Sequence, residues 1–253
     1  MAQHVIVTGG GDGIGRAIAE RFLAAGDRVH VFDIDPDHLA EATEANPALR
    51  GSVVDVADPA GVARGVDEAA AWLGPIDVLV NNAGIAGPRA PLEHITDEDW
   101  DRVVRVNLHG MFYAMRCVIP TMKELERGSI VNISTGSVKS IPVDRSVYNV
   151  SKAAVEVLTQ TMARELGPSN IRVNAIRPGM VNNERMRGIV QLIADQKGQT
   201  YDDVEKSFLE FISMRTKVEP GEIADMAFFL ASDAARHVTG QIIAVDGHLE
   251  WEP

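Results

Sequence analysis

Short runs rich in Val and Ile alternate along this chain with longer segments of helical period, and that alternation restricts the fold more than any other feature. It is the pattern of βα units wound around a parallel sheet. The runs fall at 4–8, 28–32, 51–54, 76–81, 129–134, 171–176 and 241–245, with helical segments at 14–25, 59–72, 97–125, 148–166 and 220–232 between them. Several runs are apolar at consecutive positions, as strands covered on both faces require. No Gly/Ser-rich linker or internal repeat divides the chain. The expectation is one α/β domain over residues 1–253, a doubly wound, seven-stranded parallel sheet with helices on both faces. Two stretches depart from simple alternation: TGSVKSIPVDRSV before Tyr148, and the segment from Pro178 to about Met214, too long for an ordinary connection. The second is expected to hold one or two short helices, forming a substrate lid at about 180–214.

Composition closes off other classes. With 24 Lys and Arg against 36 Asp and Glu, the net charge is −12. A broadly acidic surface repels phosphate backbones and argues against a nucleic-acid partner. A single cysteine, Cys117, excludes an intrachain disulfide and fits a reducing compartment. Amid Met115, Val118 and Ile119 it reads as core filling. The opening MAQHVIVTGG lacks the layout of a secretory signal. No apolar run approaches the roughly 18 residues of a spanning helix. A cytoplasmic protein acting on a small molecule, away from membranes, is expected. The seven histidines show no metal-ligand spacing, so no metal is expected.

The chemistry begins where the first run ends. Thr8 is followed by GGGDGIG, which leads into a helical segment. Glycines there let backbone amides approach a pyrophosphate, and the N-terminus of the new helix favours negative charge. The spacing is T-G-x-x-x-G-x-G through Gly9, Gly13 and Gly15, not the commoner G-x-G-x-x-G. Asp33 closes the second run twenty positions after Gly13, where a carboxylate can accept from the adenosine ribose hydroxyls. It would repel a 2′-phosphate, and so would Asp12, while positions 34–36 hold no Arg or Lys. NAD is therefore expected in preference to NADP.

Tyr148 and Lys152 stand at i and i+4 at the start of a helix, on one face. A cation beside a phenol favours the phenolate and makes an acid/base for an alcohol or carbonyl oxygen. The opposite face, Ala154, Val157, Leu158 and Thr161, has the rhythm of a packed helix.

Taken together, T-G-x-x-x-G-x-G, Asp33, Asp55, Asn81-Asn82-Ala83-Gly84, Asn107 and Tyr148-x-x-x-Lys152 follow the order and spacing of the short-chain dehydrogenase/reductase family, which the chain resembles from Val5 to Asp246. The resemblance implies a Rossmann-type fold with Tyr148 as acid/base. Lys152 would favour its ionisation and bond the nicotinamide ribose. Asn107 would hold a water linking Lys152 to solvent. Asn82, Ala83 and Gly84 would steady the sheet and border the adenosine ribose, Asp55 and Val56 would meet adenine, and Gly9, Asp12, Gly13, Ile14, Gly15, Asp33 and Ile34 would complete that half of the cofactor site. Pro178, Gly179, Val181 and Asn183 would lie along the nicotinamide carboxamide, with Asn183 where the family often has Thr. The family's active-site serine stands thirteen residues before the tyrosine, a position held here by Thr135. Ser137 or Ser134 could serve instead.

These implications describe an NAD-dependent oxidoreductase moving a hydride between nicotinamide and a secondary alcohol or ketone. Lys139, Arg145, Arg185 and Arg187 make the neighbourhood of Tyr148 basic for so acidic a chain, and together with Ser137 they are candidate substrate contacts. A small polar or anionic hydroxy compound follows: a polyol, sugar, hydroxy acid or hydroxysulfonate. The competing readings are a 3-oxoacyl thioester reductase and a non-catalytic dinucleotide sensor. The helical stretch 103–119 is apolar on several faces through Val104, Val106, Leu108, Met111, Phe112, Met115 and Val118, which implies burial. With the resemblance, that stretch is expected to pack across a subunit boundary in a homotetramer or homodimer.

Overall fold

The computed structural model describes residues 2–249. Seven strands, β1 (His4–Thr8), β2 (Arg28–Asp33), β3 (Arg50–Val53), β4 (Val78–Asn81), β5 (Gly128–Ile133), β6 (Ile171–Pro178) and β7 (Ile242–Val245), form one sheet. Its order is β3-β2-β1-β4-β5-β6-β7. Every pairing is parallel. The expected sheet is present with the expected number of strands. The chain leaves β1 toward β3 on one side and toward β7 on the other, so the strand order reverses between β1 and β4. The C-terminal ends of these two strands open the crevice in which ligands bind in open α/β sheets.

Two apolar layers hold the helices to the sheet. On one face, Ile18 and Phe22 of α1 (Gly13–Ala24) and Ile223, Ala227 and Leu230 of α10 (Pro220–Ala231) pack on Val5, Val7, Val29 and Val131. On the other, α3 (Pro59–Leu73), α5 (Gly110–Glu124) and α7 (Ser146–Leu166) cover Ile6, Leu79, Ile130 and Val173. Consecutive strand residues therefore face apolar layers alternately, which is why these runs read as continuously hydrophobic.

The sequence reading misses α2 (Pro36–Ala45), whose PDHLAEATEA buries only Leu39 and Ala42. Its signal was the start, where Asp35 accepts from the amides of Asp37 and His38 and Pro36 opens the first turn. The stretch expected as one long helix is instead α4 (Asp97–Val104), a π-helical turn (Arg105–His109) and α5. Its full burial is also corrected. Val103, Met111, Met115 and Val118 are inside, but Phe112 is 45% exposed.

The packed face of α7 also differs from the expectation. Val157 is 64% exposed and Thr161 is exposed, whereas Val155, Thr159 and Ala163 are buried on the same side as Tyr148, Ser151 and Lys152. The helix packs through its chemical face because the sheet lies beneath that face. The long segment after β6 folds into α8 (Glu184–Lys197) and α9 (Tyr201–Leu209), which bury Val190, Ala194 and Val204 against Met180 and Ile212 in a small core of their own. No described helix is long and apolar enough to cross a membrane.

Candidate active site

The turn after β1 is shaped by glycine at two places. Gly9 has φ +61, and a Cβ on Gly15 would stand 1.9 Å from the Gly9 carbonyl, so no side chain fits there. Asn82 Nδ2 fastens the turn by donating to the carbonyls of Thr8 (3.1 Å) and Gly9 (2.9 Å). The amides of Asn82 and Ala83 donate to Thr8 Oγ1. The adjoining N-terminus of α1 has no side-chain cap from Asp12 and no acidic residue in its first turn. Its open amides suit the pyrophosphate of a dinucleotide.

At the end of β2, Asp33 is 9% exposed. Its Oδ2 accepts from the Gly11 amide at 2.9 Å and its Oδ1 from the Asp35 amide at 3.1 Å. Those two amides aim the carboxylate beside the glycine turn and leave lone pairs on both oxygens. Ile34 next to it is exposed. Asp55 Oδ1 accepts from Ala57 N while Val56 is buried and packs against Gly110.

Tyr148 and Lys152 project from α7 toward the sheet. They are 8% and 3% exposed. Lys152 Nζ donates to the Ile133 carbonyl at the end of β5, at 2.7 Å. Burial, reinforced by the positive charge of Arg185, brings the Lys152 ammonium down to about 7. Gly84 lies against this ammonium and against Asn107, 3.3 Å and 3.2 Å from where its Cβ would be.

Asn107 is fully buried in the π-helical turn. Its Oδ1 accepts from Ile85 N at 2.8 Å, and its Nδ2 donates to Ile85 O and to Ser151 Oγ, both at 3.0 Å. Both amide donors are therefore used. On the side chain only a lone pair of Oδ1 remains for the expected water, so the amide serves first as a clamp between the loop after β4 and α7.

Of the three candidate hydroxyls, Ser134 is committed elsewhere. It is 3% exposed and donates to Glu156 Oε1 at 2.7 Å, beside the Arg177–Glu156 ion pair. Thr135 Oγ1 accepts at 3.2 Å from the amide of Ser137, which opens the short α6 (Ser137–Ser140); this fixes the oxygen and leaves its O–H free to donate. The proline-glycine segment stands at the end of β6, where a Cβ on Gly179 would meet Asp246 Cα at 2.6 Å. Val181 bridges to Val218. Asn183 is the N-cap of α8, its Oδ1 accepting from Met186 N at 2.9 Å, which accounts for its amide oxygen by a helix cap rather than a ligand.

The substrate candidates divide. The guanidiniums of Arg145 and Arg185 lie over the Tyr148 ring, with Cζ 4.2 and 5.9 Å from its centroid. Lys139 Nζ instead donates to the Leu249 carbonyl, and Arg187 reaches toward Asn182. Arg89, which the sequence reading missed, belongs with Arg145: the Ala90 amide donates to the Asp144 carbonyl and joins the two loops. Cys117 is half-buried, and burial pushes its thiol up, as befits core filling.

A family model described as enoyl-(acyl carrier protein) reductase matches residues 9–249. L-2,3-butanediol dehydrogenase of Corynebacterium glutamicum is 35% identical over 98% of each chain. Among solved structures, an NAD+-bound xylitol dehydrogenase superposes with a TM-score of 0.91 at 31% identity, covering 97% of this chain and 98% of that one. An actinorhodin polyketide ketoreductase with NADPH reaches 0.93 at 31% identity, covering 98% and 97%. The chain belongs to the short-chain dehydrogenase/reductase family, whose doubly wound, Rossmann-type domain it shares.

Proposed function

We propose that this protein is an NAD-dependent dehydrogenase, or in reverse a carbonyl reductase, acting on the CH–OH group of a secondary alcohol. The observation that carries the reading is the pairing of Tyr148 and Lys152 on the buried face of α7, with Lys152 held at the end of β5. In oxidation the alcohol loses its hydroxyl proton to Tyr148 and a hydride from the same carbon, giving a ketone, NADH and a proton. Bound NAD+ supplies the hydride acceptor. Tyr148 holds and moves the proton, Lys152 orients the ribose, Asn107 keeps the π-helical turn against α7, and burial excludes water. A panel of polyols, sugars, hydroxy acids and hydroxysulfonates followed by NADH absorbance tests the reading.

Thr135 is the favoured hydroxyl donor to the substrate oxygen, with Ser137 as the alternative. Thr135→Val keeps the shape and removes the donor. It should lower kcat/KM by about tenfold or more, in the range of a lost hydrogen bond in a water-excluded site. Unchanged kinetics would assign the role to Ser137.

Cofactor choice rests on Asp33. Its aimed carboxylate accepts from ribose hydroxyls and repels a 2′-phosphate, with no Arg or Lys at positions 34–36 to reverse this. NAD+ should bind at least about tenfold more tightly than NADP+, about 1.4 kcal/mol. Equal affinities in a fluorescence titration would refute it.

The 3-oxoacyl thioester reductase is the second reading, favoured by the likeness to an NADPH-bound ketoreductase. It requires faster NADPH-driven reduction of acetoacetyl-coenzyme A than any NAD+-driven alcohol oxidation. The protein is further read as cytoplasmic, with a small-molecule substrate and with α8 and α9 as a lid. Exposed Phe112, Val150 and Val157 on α5 and α7 fit a homotetramer or homodimer packed through these helices. A monomeric mass in light scattering would exclude both.

A further inference from the structure

Positive charge gathers around the Tyr148 ring, and among the described residues no carboxylate pairs with it. Arg145 stands just before α7, its Cζ 4.2 Å from the ring centroid. It is only 7% exposed, yet among the described residues its side chain forms no ion pair and no hydrogen bond. A guanidinium carries five N–H donors, and one buried this far is ordinarily matched by a carboxylate, because an uncompensated charge loses its hydration for no return. Stacking on the phenol engages the face of the guanidinium and leaves its in-plane donors to another partner.

Two further arginines converge there. Arg185, in the first turn of α8, has its Cζ 5.9 Å from the same centroid. Arg89 is carried alongside by the hydrogen bond from Ala90 N to the Asp144 carbonyl, 3.2 Å. Neither forms an ion pair or a side-chain hydrogen bond among the described residues. Burial lowers the Arg145 guanidinium below its ordinary range. The Tyr148 phenol offsets part of this, while Arg89 and Arg185 add to it, so the three charges repel one another. In a chain of net charge −12, such a cluster is not a by-product of basic composition.

We propose that Arg145, with Arg185 and Arg89, binds an anionic oxo-acid group on the substrate, so that the alcohol oxidised is a short secondary hydroxy acid bearing a carboxylate or a sulfonate. An anion relieves the mutual repulsion and meets the in-plane donors in the forked geometry that arginine offers. Because Arg145 lies on the ring of the acid/base itself, the acidic group and the carbinol carbon are close neighbours in one small molecule. Arg185 sits on the segment read as a lid, so the anion also links that segment to the site. The inference rests on the dehydrogenase reading above and narrows its substrate.

The test has two arms. In the first, NAD+ reduction is followed with 3-hydroxybutyrate, 2-hydroxypropanesulfonate and neutral 2-butanol. One of the acids should exceed 2-butanol in kcat/KM by about tenfold or more. Arg145→Gln should reduce that acid-to-neutral ratio about tenfold, and the exposed changes Arg185→Gln and Arg89→Gln severalfold each. Should the Arg145 variant fail to fold, the other two carry the same comparison. In the second arm, the NADH complex is titrated with propionate and with ethanesulfonate by nicotinamide fluorescence, and saturable binding weakened in the variants is expected. No preference for either acid, an unchanged ratio in the variants, or a loss of NADH affinity equal to the loss of acid selectivity would overturn the proposal. The last outcome would assign the cluster to the cofactor phosphates. Saturable acid binding without turnover of any alcohol would sink the dehydrogenase reading and leave the anion site. Turnover of 2-butanol without acid preference would do the reverse.

Discussion

Tyr148→Phe should lower kcat by about 10²- to 10⁴-fold, the span attributed to a positioned general acid/base, and leave NAD+ affinity within about twofold. The substitution removes one oxygen from a residue that is 8% exposed and whose ring supports Arg145 at 4.2 Å. The ring stays, so the stacked guanidinium and the packing of α7 on the sheet stay with it. The contacts that fasten the glycine turn run through Thr8, Asn82 and Ala83, none of which touches the phenol oxygen. Turnover and dinucleotide binding should therefore separate cleanly in steady-state kinetics and isothermal titration. A dinucleotide sensor built on the same fold would keep its output in this variant, and retention of most of the turnover would remove Tyr148 from the chemistry. A parallel fall in NAD+ affinity would mean that the phenol serves cofactor binding first.

Which parts of this site could be read from the sequence follows from how local each one is. The glycine turn, Asp33 and the Tyr148–Lys152 pair are short-range patterns whose geometry is set by a strand end or one helical turn; the first two lie at the C-terminal ends of β1 and β2, and Lys152 reaches the end of β5 from α7. The strands were legible because burial on both faces makes them continuously apolar. α2 was not, because a helix that buries only Leu39 and Ala42 leaves little periodicity to detect.

The face of α7 was misjudged for a related reason: Val157 and Thr161 have the right spacing, but periodicity does not say which stripe meets the sheet. The remaining gaps depend on long-range closure. Ser134 is disqualified by Glu156, twenty-two positions away, and the Asn107 amide is occupied by Ile85, equally distant in sequence. Arg89 joins Arg145 only through a contact between two loops. Asn183 stands where the resemblance implies a cofactor contact, and its Oδ1 also caps α8, a role favoured for Asn at helix starts that the motif comparison does not bring out.

Lys152 sets function against stability, and its replacement should show both. Burial, with a smaller effect from Arg185, brings its ammonium down to about 7 from an ordinary 10.5. Between those two values the unfolded chain binds a proton that the folded one does not. Stability therefore rises with pH through that window, and the full penalty of the buried charge is felt at and below about 7. Lys152→Met removes the charge and keeps a similar volume, at the cost of leaving the Ile133 carbonyl without its 2.7 Å donor. Replacing buried ionic groups by apolar side chains of similar volume ranges from neutral to stabilising by about 1–4 kcal/mol, the upper part of that range applying to a lysine with no carboxylate partner, and an unpaired carbonyl returns about 1 kcal/mol of it. The cofactor-free variant should thus be more stable than the parent by about 1–3 kcal/mol in urea at pH 7, with the difference shrinking toward pH 10 as the parent's lysine loses its proton. On the proposed mechanism its turnover should fall by about 10²-fold or more, because the group that would orient the ribose and steady the charge on Tyr148 is gone. A stability difference that does not narrow with rising pH would show that Lys152 keeps its proton in the folded protein across the window, so that burial does not lower its ammonium. A variant less stable than the parent at pH 7 would show that the bond to Ile133 outweighs the burial of the charge.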